Sequence, residues 1–285
     1  MKSCFRYISL FLVLILALVP MLGCEQQLED ALSAGSTVGT VTVTFPEGRN
    51  VRQFANRLEE NGVCSSEAFL SACSDYDWSA EYDFLPSWDV LSARPYPLEG
   101  YLFPDTYEFF IDEDPHSCVR RFLNNFGRRV TDEMITDCDA VGLSLDEAII
   151  LASVIERETN VYSESPKVSA VFHNRINHPT GYKGVDGTYT GGFFQSDATK
   201  YYPYVYGEEL PEGFVSEYNT YNFAGLSKGS ICCPGLASIK AAIYPDKECD
   251  ALFFYTDINS KHYYAVSYDD HLANIKYCKD NGLAG

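Results

Sequence analysis

Residues 148–159 read Ala-Ile-Ile-Leu-Ala-Ser-Val-Ile-Glu-Arg-Glu-Thr. Eight small or apolar residues without a charge lead up to Glu156, and Asp146 and Glu147 precede them. Carboxylates favour the first turn of a helix, where they meet the positive end of its dipole. A helix that is apolar on nearly all sides is a buried helix. The pattern therefore predicts a core helix that begins near residue 145.

Glu156 is the candidate catalytic residue at the end of this helix. At about 100° per residue, it shares one helical face with Ile149, Ala152 and Ser153. A carboxyl that emerges from a packed core loses hydration, which raises its pKa and suits a general acid. The alternative is a glutamate that ends a core helix and points into water.

The composition predicts a folded chain with a sizeable core. The length of 285 residues suffices for one large domain or two smaller ones. Hydrophobic residues make up 46% of the chain and aromatic residues 14%, which is enough for a sizeable core. Tyrosine, with 21 residues, combines apolar area with a hydroxyl group and suits sugar stacking, although it also fills cores. The formal net charge of −19 argues against nucleic acid and anionic lipid headgroups as partners.

The N-terminus has the pattern of an export signal. Lys2 and Arg6 precede an apolar run, 8–22, that is short for a membrane span. The run ends in Met21-Leu22-Gly23-Cys24, which resembles the lipobox of bacterial lipoproteins, whose cysteine is lipidated. The alternative is an uncleaved anchor helix. Both predict a membrane-tethered chain on the extracytoplasmic face of the cell membrane, with 25–40 as a polar tether.

The cysteines leave two possibilities open. Besides Cys4 and Cys24, the chain has eight, at positions 64, 73, 118, 138, 232, 233, 249 and 278. An even number in an exported chain permits disulfides, but buried free thiols also pack well. No C-x-x-C pair is present and the five histidines lack zinc-ligand spacing, so we predict no metal site and no cofactor.

Periodicity and turn residues predict an α+β fold. A strand is expected at 41–45, and a hairpin at 251–255 and 262–266. Helices are expected at 50–61, 65–73, 116–126, 131–141, 145–160, 165–177, 234–244 and 267–281. The segment 78–97 is expected to be irregular, 98–110 to combine strand and loop, and the glycine-rich 182–193 to be a loop.

Several polar and aromatic clusters are candidates for a binding site. Amides, hydroxyls and aromatic faces are what an oligosaccharide needs, since sugars offer hydroxyls and apolar C–H faces. The helix opened by 233–235 also offers free backbone N–H groups to an acceptor. Taken singly, each cluster could instead brace turns or fill the core. The candidate substrate-binding residues are Glu99, Tyr101, Gln195, Asp197, Asn219, Tyr221 and Asn222.

A series of ordered motifs extends from residue 99 to the C-terminal helix. In chain order they are 99–107 (EGYLFPDTY), 152–159 (ASVIERET), 171–176 (VFHNRI), 195–199 (QSDAT), 218–221 (YNTY), 225–226 (GL), 234–242 (PGLASIKAA), and His262 with His271. Together they resemble the endolytic murein transglycosylases of the MltG, or YceG-like, family. The likeness departs at 178–192, a glycine-rich insertion, and at 225–229, where a proline-rich turn is usual; both departures put substrate preference in doubt more than the chemistry.

The resemblance implies an activity and a domain order. The bond between N-acetylmuramic acid and N-acetylglucosamine is cut inside nascent peptidoglycan strands, giving 1,6-anhydro ends, with Glu156 as the single acid and base. Peptidoglycan synthases are possible partners. The implied order is a signal or anchor at 1–24, the tether, a LysM-like module with an irregular connection at 41–97, and a mixed α+β catalytic domain at 98–285.

The sequence is also compatible with two other functions. A muramidase-type hydrolase would use Glu99, Asp105 or Asp197 as a second carboxylate, because glycoside hydrolysis usually needs two. A non-catalytic wall-binding lipoprotein would use the tyrosine and asparagine clusters as a lectin-like surface. The chemistry of the product ends separates the first alternative from the transglycosylase, and loss of Glu156 without effect identifies the second.

Overall fold

The first structured elements are a strand and two helices. The structure, a computed structural model, describes residues 39–178, 182–183, 189–190, 192–205 and 207–284. Strand β1 is Thr40–Thr44, helix α1 is Val51–Glu60 and helix α2 is Ser66–Ser74. Asn50 and Gln53 form a capping box at the start of α1. The predicted strand and both predicted helices are confirmed.

Strand β1 pairs with a strand that lies more than sixty positions further along the chain. Strand β2, Thr106–Phe110, is antiparallel to β1, so that Thr40 faces Phe110 and Thr44 faces Thr106. Strand β1 therefore completes its ladder with a strand from beyond the predicted boundary at 97/98. The division into a LysM-like module and a catalytic domain stays a prediction.

The connection between these two strands contains short helical segments. A 3₁₀ turn covers Trp78–Ala80 and a short helix, α3, covers Trp88–Ser92 within the segment predicted to be irregular. The indole of Trp78 is fully buried and donates its N–H to the carbonyl oxygen of Ala72, 2.9 Å away. Trp78 is thus part of the core, and the other aromatic residues of this segment pack against the core while partly buried, which local turn signals do not reveal.

The remaining helices and the hairpin follow the predicted order. Helix α6 has a capping box formed by Ser144 and Glu147, as its acidic first turn predicts. The bounds are α4 Pro115–Arg129, α5 Asp132–Cys138, α6 Leu145–Glu158, α7 Ser165–Ile176, α8 Leu236–Ile243 and α9 Tyr268–Asp280, with strands β5 Phe253–Thr256 and β6 His262–Ala265 forming the predicted hairpin.

Helix α6 is the buried helix that the sequence predicts. All eight residues from Ala148 to Ile155 are buried. It packs against α7 and α8, and its apolar side chains belong to a hydrophobic core that extends from Val43 to Ile243. The mixed α+β fold is thereby confirmed, and the carboxyl end of α6 is fixed by packing on several sides.

The glycine-rich segment differs from its prediction where it can be described. Two short strands, β3 Tyr182–Lys183 and β4 Tyr189–Thr190, pair antiparallel inside the stretch predicted to be a loop. Two-residue strands leave no apolar alternation for a sequence pattern to detect. Most of the 178–192 insertion lies outside the described residues.

The structure describes the predicted cysteines but not the predicted membrane anchor. The eight cysteines from Cys64 to Cys278 are free thiols, six of them buried, so packing rather than cross-linking explains most of them. Within the described ranges, no helix is long and apolar enough to cross a membrane. The predicted signal or anchor at 1–24, with Cys24, and nearly all of the tether at 25–40 lie outside these ranges.

Phe122→Ala tests the aromatic centre of the core. The Phe122 ring packs edge-on or tilted against five aromatic rings, those of Phe45, Phe54, Phe69, Tyr107 and Phe109. Its removal leaves a cavity, so we expect a loss of about 3–5 kcal/mol in the free energy of unfolding, measured by denaturant titration.

Phe110→Ala is the matched control. This phenylalanine lies on the outer face of β2 with 46% of its surface exposed, so its truncation is expected to cost less than about 1 kcal/mol. Equal losses in the two variants would show that the aromatic centre does not carry the stability assigned to it.

Candidate active site

Glu156 emerges half-buried from the end of α6 and meets the beginning of α8. The Ser238 hydroxyl donates to Glu156 Oε2 at 2.7 Å, and the Gly235 backbone N–H donates to the same oxygen at 3.1 Å. No hydrogen bond within the described residues engages Oε1. The carboxyl group is therefore held at one oxygen and available at the other.

Helix α8 supplies both donors because of its local sequence. Gly235 is the N-cap of α8, and Ser238 lies in its first turn. Backbone N–H groups at a helix N-terminus have no partner within the helix and carry a partial positive charge. The sequence predicts that this helix start offers N–H groups to an acceptor, and Glu156 is that acceptor. The role of Ser238 was not predicted, since only packing brings it to Glu156.

The surroundings of Glu156 act on its pKa in opposite directions. Desolvation by burial is the largest influence and raises the pKa above its ordinary value. The hydrogen bonds from Ser238 and Gly235 lower it, the charge of Glu47 raises it, and the charge of Arg157 lowers it. The net pKa is raised, which is the direction that a general acid requires.

The turn between β1 and α1 forms one side of this site. Gly48 has a φ of +74°, a conformation that favours glycine, and a Cβ built on it would lie 3.4 Å from Glu156 Cγ. The Gly48 N–H donates to the carbonyl oxygen of Cys233 at 3.0 Å, and Arg157 Nη1 donates to the Gly48 carbonyl at 3.3 Å. The N-terminal elements thus contribute backbone to the candidate site.

Glu158, the last residue of α6, lies outside the predicted site residues. It accepts a short hydrogen bond from the Ser196 hydroxyl. Burial raises its pKa, Ser196 and the positive charge of Arg175 lower it, and the charge of Asp197 raises it. Glu158 therefore links the end of α6 to the 195–199 motif.

Glu99 and Tyr101, two predicted substrate-binding residues, lie in the core. Both oxygens of Glu99 accept the Val51 N–H at the start of α1, at 3.1 and 3.2 Å, and the hydroxyl of Tyr202 donates to Oε2 at 3.1 Å. Burial raises the Glu99 pKa to about 8. The Tyr101 hydroxyl donates to Asp146 at 2.7 Å. These contacts brace the fold, and a direct contact with sugar stays a prediction for both residues.

Three of the remaining predicted residues come together outside the core. The Tyr221 hydroxyl donates to Asp197 Oδ1 at 2.8 Å, and the Asn219 side chain accepts the Tyr221 N–H at 3.1 Å. Lys200 also pairs with Asp197 at 2.7 Å. Burial raises the pKa of Asp197, but Lys200 and Tyr221 together bring it below its ordinary value.

The last two predicted residues differ in exposure. Gln195 is buried next to this group with a φ of +51°, and its N–H donates to the Thr220 carbonyl oxygen at 3.3 Å, whereas Asn222 is exposed. Substrate binding by these five residues, Gln195, Asp197, Asn219, Tyr221 and Asn222, stays a prediction.

The described part of the chain holds no group of three or more His, Cys, Asp or Glu side chains placed to bind a metal ion.

The sequence profile of the YceG-like family matches residues 24–277, which is most of the chain. The chain belongs to the YceG-like family. The resemblance of the ordered motifs is thereby confirmed.

Two curated relatives of this YceG-like chain carry the same description. An endolytic murein transglycosylase of Bacillus subtilis (strain 168) is 26% identical over 248 residues, which are 84% of this chain and 66% of the relative. One from Streptococcus pneumoniae serotype 2 is 26% identical over 249 residues, 82% of this chain and 44% of the relative. The chain thus spans from under half to about two thirds of the length of these relatives.

A solved structure shares the fold of this YceG-like chain. A crystal structure of a YceG-like protein from Listeria monocytogenes has a TM-score of 0.69 and 24% sequence identity. The similarity covers 87% of this chain and 80% of the Listeria chain. It supports the fold alone.

Glu99→Gln tests the buried carboxyl through the pH dependence of stability. Because the folded-state pKa is raised from 4.5 to about 8, the stabilisation from the protonated form is full below pH 4.5 and is lost as the pH rises to about 8. Glutamine mimics the neutral form and does not titrate. Across this window we expect the stability of the unaltered chain to fall relative to the variant, by at most about 1.4 kcal/mol per pH unit.

Denaturant titrations at several pH values measure this difference. Glu209→Gln, at an exposed glutamate outside the site, controls for the change in net charge. Parallel pH profiles for the unaltered chain and Glu99→Gln would contradict a Glu99 pKa raised by burial.

Proposed function

We propose that this chain is an endolytic peptidoglycan lytic transglycosylase in which Glu156 is the single acid and base. The observation that carries the proposal is the environment of Glu156: a raised pKa, two donors on Oε2 and no protein partner for Oε1 in the described residues. The curated relatives, which are endolytic murein transglycosylases, support the same reaction.

The geometry suits one group that acts first as an acid and then as a base. Ser238 and Gly235 both donate to Oε2, so the proton of the neutral carboxyl belongs on Oε1. Oε1 protonates the glycosidic oxygen as the bond breaks. The carboxylate then accepts the proton of the muramoyl 6-hydroxyl while that oxygen attacks C1 and closes the 1,6-anhydro ring. The two donors stabilise the transient carboxylate and limit how far burial raises its pKa.

The other carboxylates named for a hydrolase have partners of their own. Glu99 is buried under its hydrogen bonds to Val51 and Tyr202, and Asp105 pairs with Arg129 and Asn125. Asp197 pairs with Lys200 and Tyr221. A residue that activates water needs a free carboxylate oxygen directed at the sugar, and the contacts of Glu99 and Asp105 engage both of their oxygens. Both contacts of Asp197 are made by Oδ1, so Asp197 is the carboxylate that a muramidase-type hydrolase would use, and the chemistry of the product ends tests it.

The proposal includes the remaining parts of the chain. Residues 41–97 serve as a LysM-like module with its connection, and 98–285 as the catalytic domain. Gln195, Asp197, Asn219, Tyr221 and Asn222 contact the glycan directly, whereas Glu99 and Tyr101 act through the fold. The substrate is the nascent glycan strand, cut beside the peptidoglycan synthases at the extracytoplasmic face of the cell membrane.

Glu156→Gln is the test of the proposed function. The amide cannot donate and then recover the proton, so we expect a rate loss on the order of 10²–10⁴ or more in the release of muropeptides from purified wall. Ser238→Ala, which removes one of the two hydrogen-bond donors to Glu156, is expected to lower the rate by less than Glu156→Gln does. Glu209→Gln should digest wall at the unaltered rate.

The proposal fails if Glu156→Gln, folded to the same thermal stability, digests the wall at near the unaltered rate. If neither the unaltered chain nor Glu156→Gln releases muropeptides while both bind wall fragments, the non-catalytic wall-binding lipoprotein is favoured instead.

Cys24→Ala tests the proposed lipid anchor. If Cys24 is lipidated, the variant should lose incorporation of a labelled fatty-acid analogue and leave the membrane fraction. Membrane retention of an unlabelled Cys24→Ala variant would instead support the uncleaved anchor helix.

A further inference from the structure

Glu47, in the turn between β1 and α1, occupies a gap beside the N-cap of α8. A Cβ built on Gly235 would lie 1.9 Å from Glu47 Oε1 and 2.5 Å from Oε2, so the carboxylate fills the space that a side chain at 235 would need. Gly235 is also the residue whose N–H donates to Glu156. Glu47 therefore packs against the same backbone unit that holds the candidate acid.

Three further hydrogen bonds fix Glu47 and its turn in this position. The Tyr162 hydroxyl, from the segment after α6, donates to Glu47 Oε2 at 2.6 Å. The backbone after Glu47 is joined to the segment before α8 by two hydrogen bonds, from Gly48 N–H to the Cys233 carbonyl oxygen and from Cys233 N–H to the Arg49 carbonyl oxygen, at 3.0 and 2.9 Å. The turn cannot shift without breaking these bonds.

We propose that Glu47 is a positioning residue for Glu156, which fixes the Gly235 N–H against the Glu156 carboxyl and places a negative charge beside it. This inference rests on the proposed role of Glu156 and adds a residue from outside the predicted catalytic domain. Glu47 acts through Glu156 and through the start of α8, and not on the sugar.

The charge of Glu47 opposes the groups that favour the ionised form of Glu156. Arg157 on α6 and the two donors of α8 lower the pKa of Glu156, while burial and Glu47 raise it. The other titratable groups that face Glu156 are Tyr162 and Cys232, and both are neutral at physiological pH because their own pKa values are raised. Burial is the largest influence that raises the pKa of Glu156, and the charge of Glu47 acts in the same direction, since a neighbouring like charge disfavours ionisation.

Glu47→Gln is the principal test, with the pH dependence of kcat/KM on soluble glycan strands as the readout. Without the negative charge, the pKa of Glu156 falls, so the alkaline limb of the profile should move to lower pH by on the order of 0.5–1 unit. Activity on that limb should then fall about three- to tenfold. Glu47→Asp keeps the negative charge, so its alkaline limb should lie closer to that of the unaltered chain. Glu209→Gln should leave the alkaline limb at its original pH.

Gly235→Ala tests the same contact by displacement. The backbone at 235 has φ −76° and ψ 167°, which alanine adopts without strain, and the new methyl group would lie where the Glu47 carboxylate is. We expect the same direction of shift in the alkaline limb. Thermal unfolding shows whether each variant is folded before its profile is compared.

Each outcome separates this inference from the proposed function. An inactive Glu156→Gln with an unchanged limb in folded Glu47→Gln overturns the inference and leaves the proposed function standing. A uniform loss of rate with no shift shows a purely structural role and also overturns it. If Glu47→Gln abolishes cleavage at every pH and the unaltered chain incorporates oxygen from water, Glu47 is the second carboxylate of a hydrolase, and both proposals fail.

Discussion

Two hydrogen bonds join Glu156 at the end of α6 to the N-terminus of α8. Helix α6 is buried along eight consecutive residues, so its last turn can reach only what packs directly against it. The start of α8 meets it with a backbone N–H and the hydroxyl of Ser238. A buried carboxyl without such donors would cost several kcal/mol, and with them it stays ionisable. These two hydrogen bonds give the free N–H at the start of α8 an acceptor and stabilise the half-buried carboxyl of Glu156. They also hold that carboxyl in place for acid–base chemistry.

The N-terminal elements are bound to this centre by polar contacts as well as by packing. Glu99 places its buried carboxyl on the first N–H of α1, and the turn before α1 is bonded to Cys233 just ahead of α8. Strand β1 pairs with β2 in the same unit. A segment that the sequence separates as an N-terminal module therefore reaches the candidate acid. This arrangement explains how a charge from the β1–α1 turn can influence a residue more than a hundred positions away.

Local sequence patterns are sufficient to predict most helices and the hairpin, but they do not predict contacts between residues that are distant in sequence. The caps at Asn50 and Ser144 and the apolar run before Glu156 act over a few residues, so the sequence reveals them. The pairing of β1 with β2 and the approach of Glu47 to Gly235 arise only from packing, and no spacing encodes them. For the same reason Glu99 and Tyr101, polar residues in a turn-rich segment, suggested a binding surface although both are buried. Ser238 and Glu47 lie outside the predicted site because each gains its role from a partner on another element.

With Glu156 as the single acid and base, the proposed reaction cleaves the glycan without water. Digestion of purified peptidoglycan in ¹⁸O-labelled water, followed by mass spectrometry of the released muropeptides, tests it most directly. We expect 1,6-anhydro-muramoyl ends from cuts inside strands, with no label from the solvent. Reducing-end sugars that carry ¹⁸O would contradict it and would establish a hydrolase.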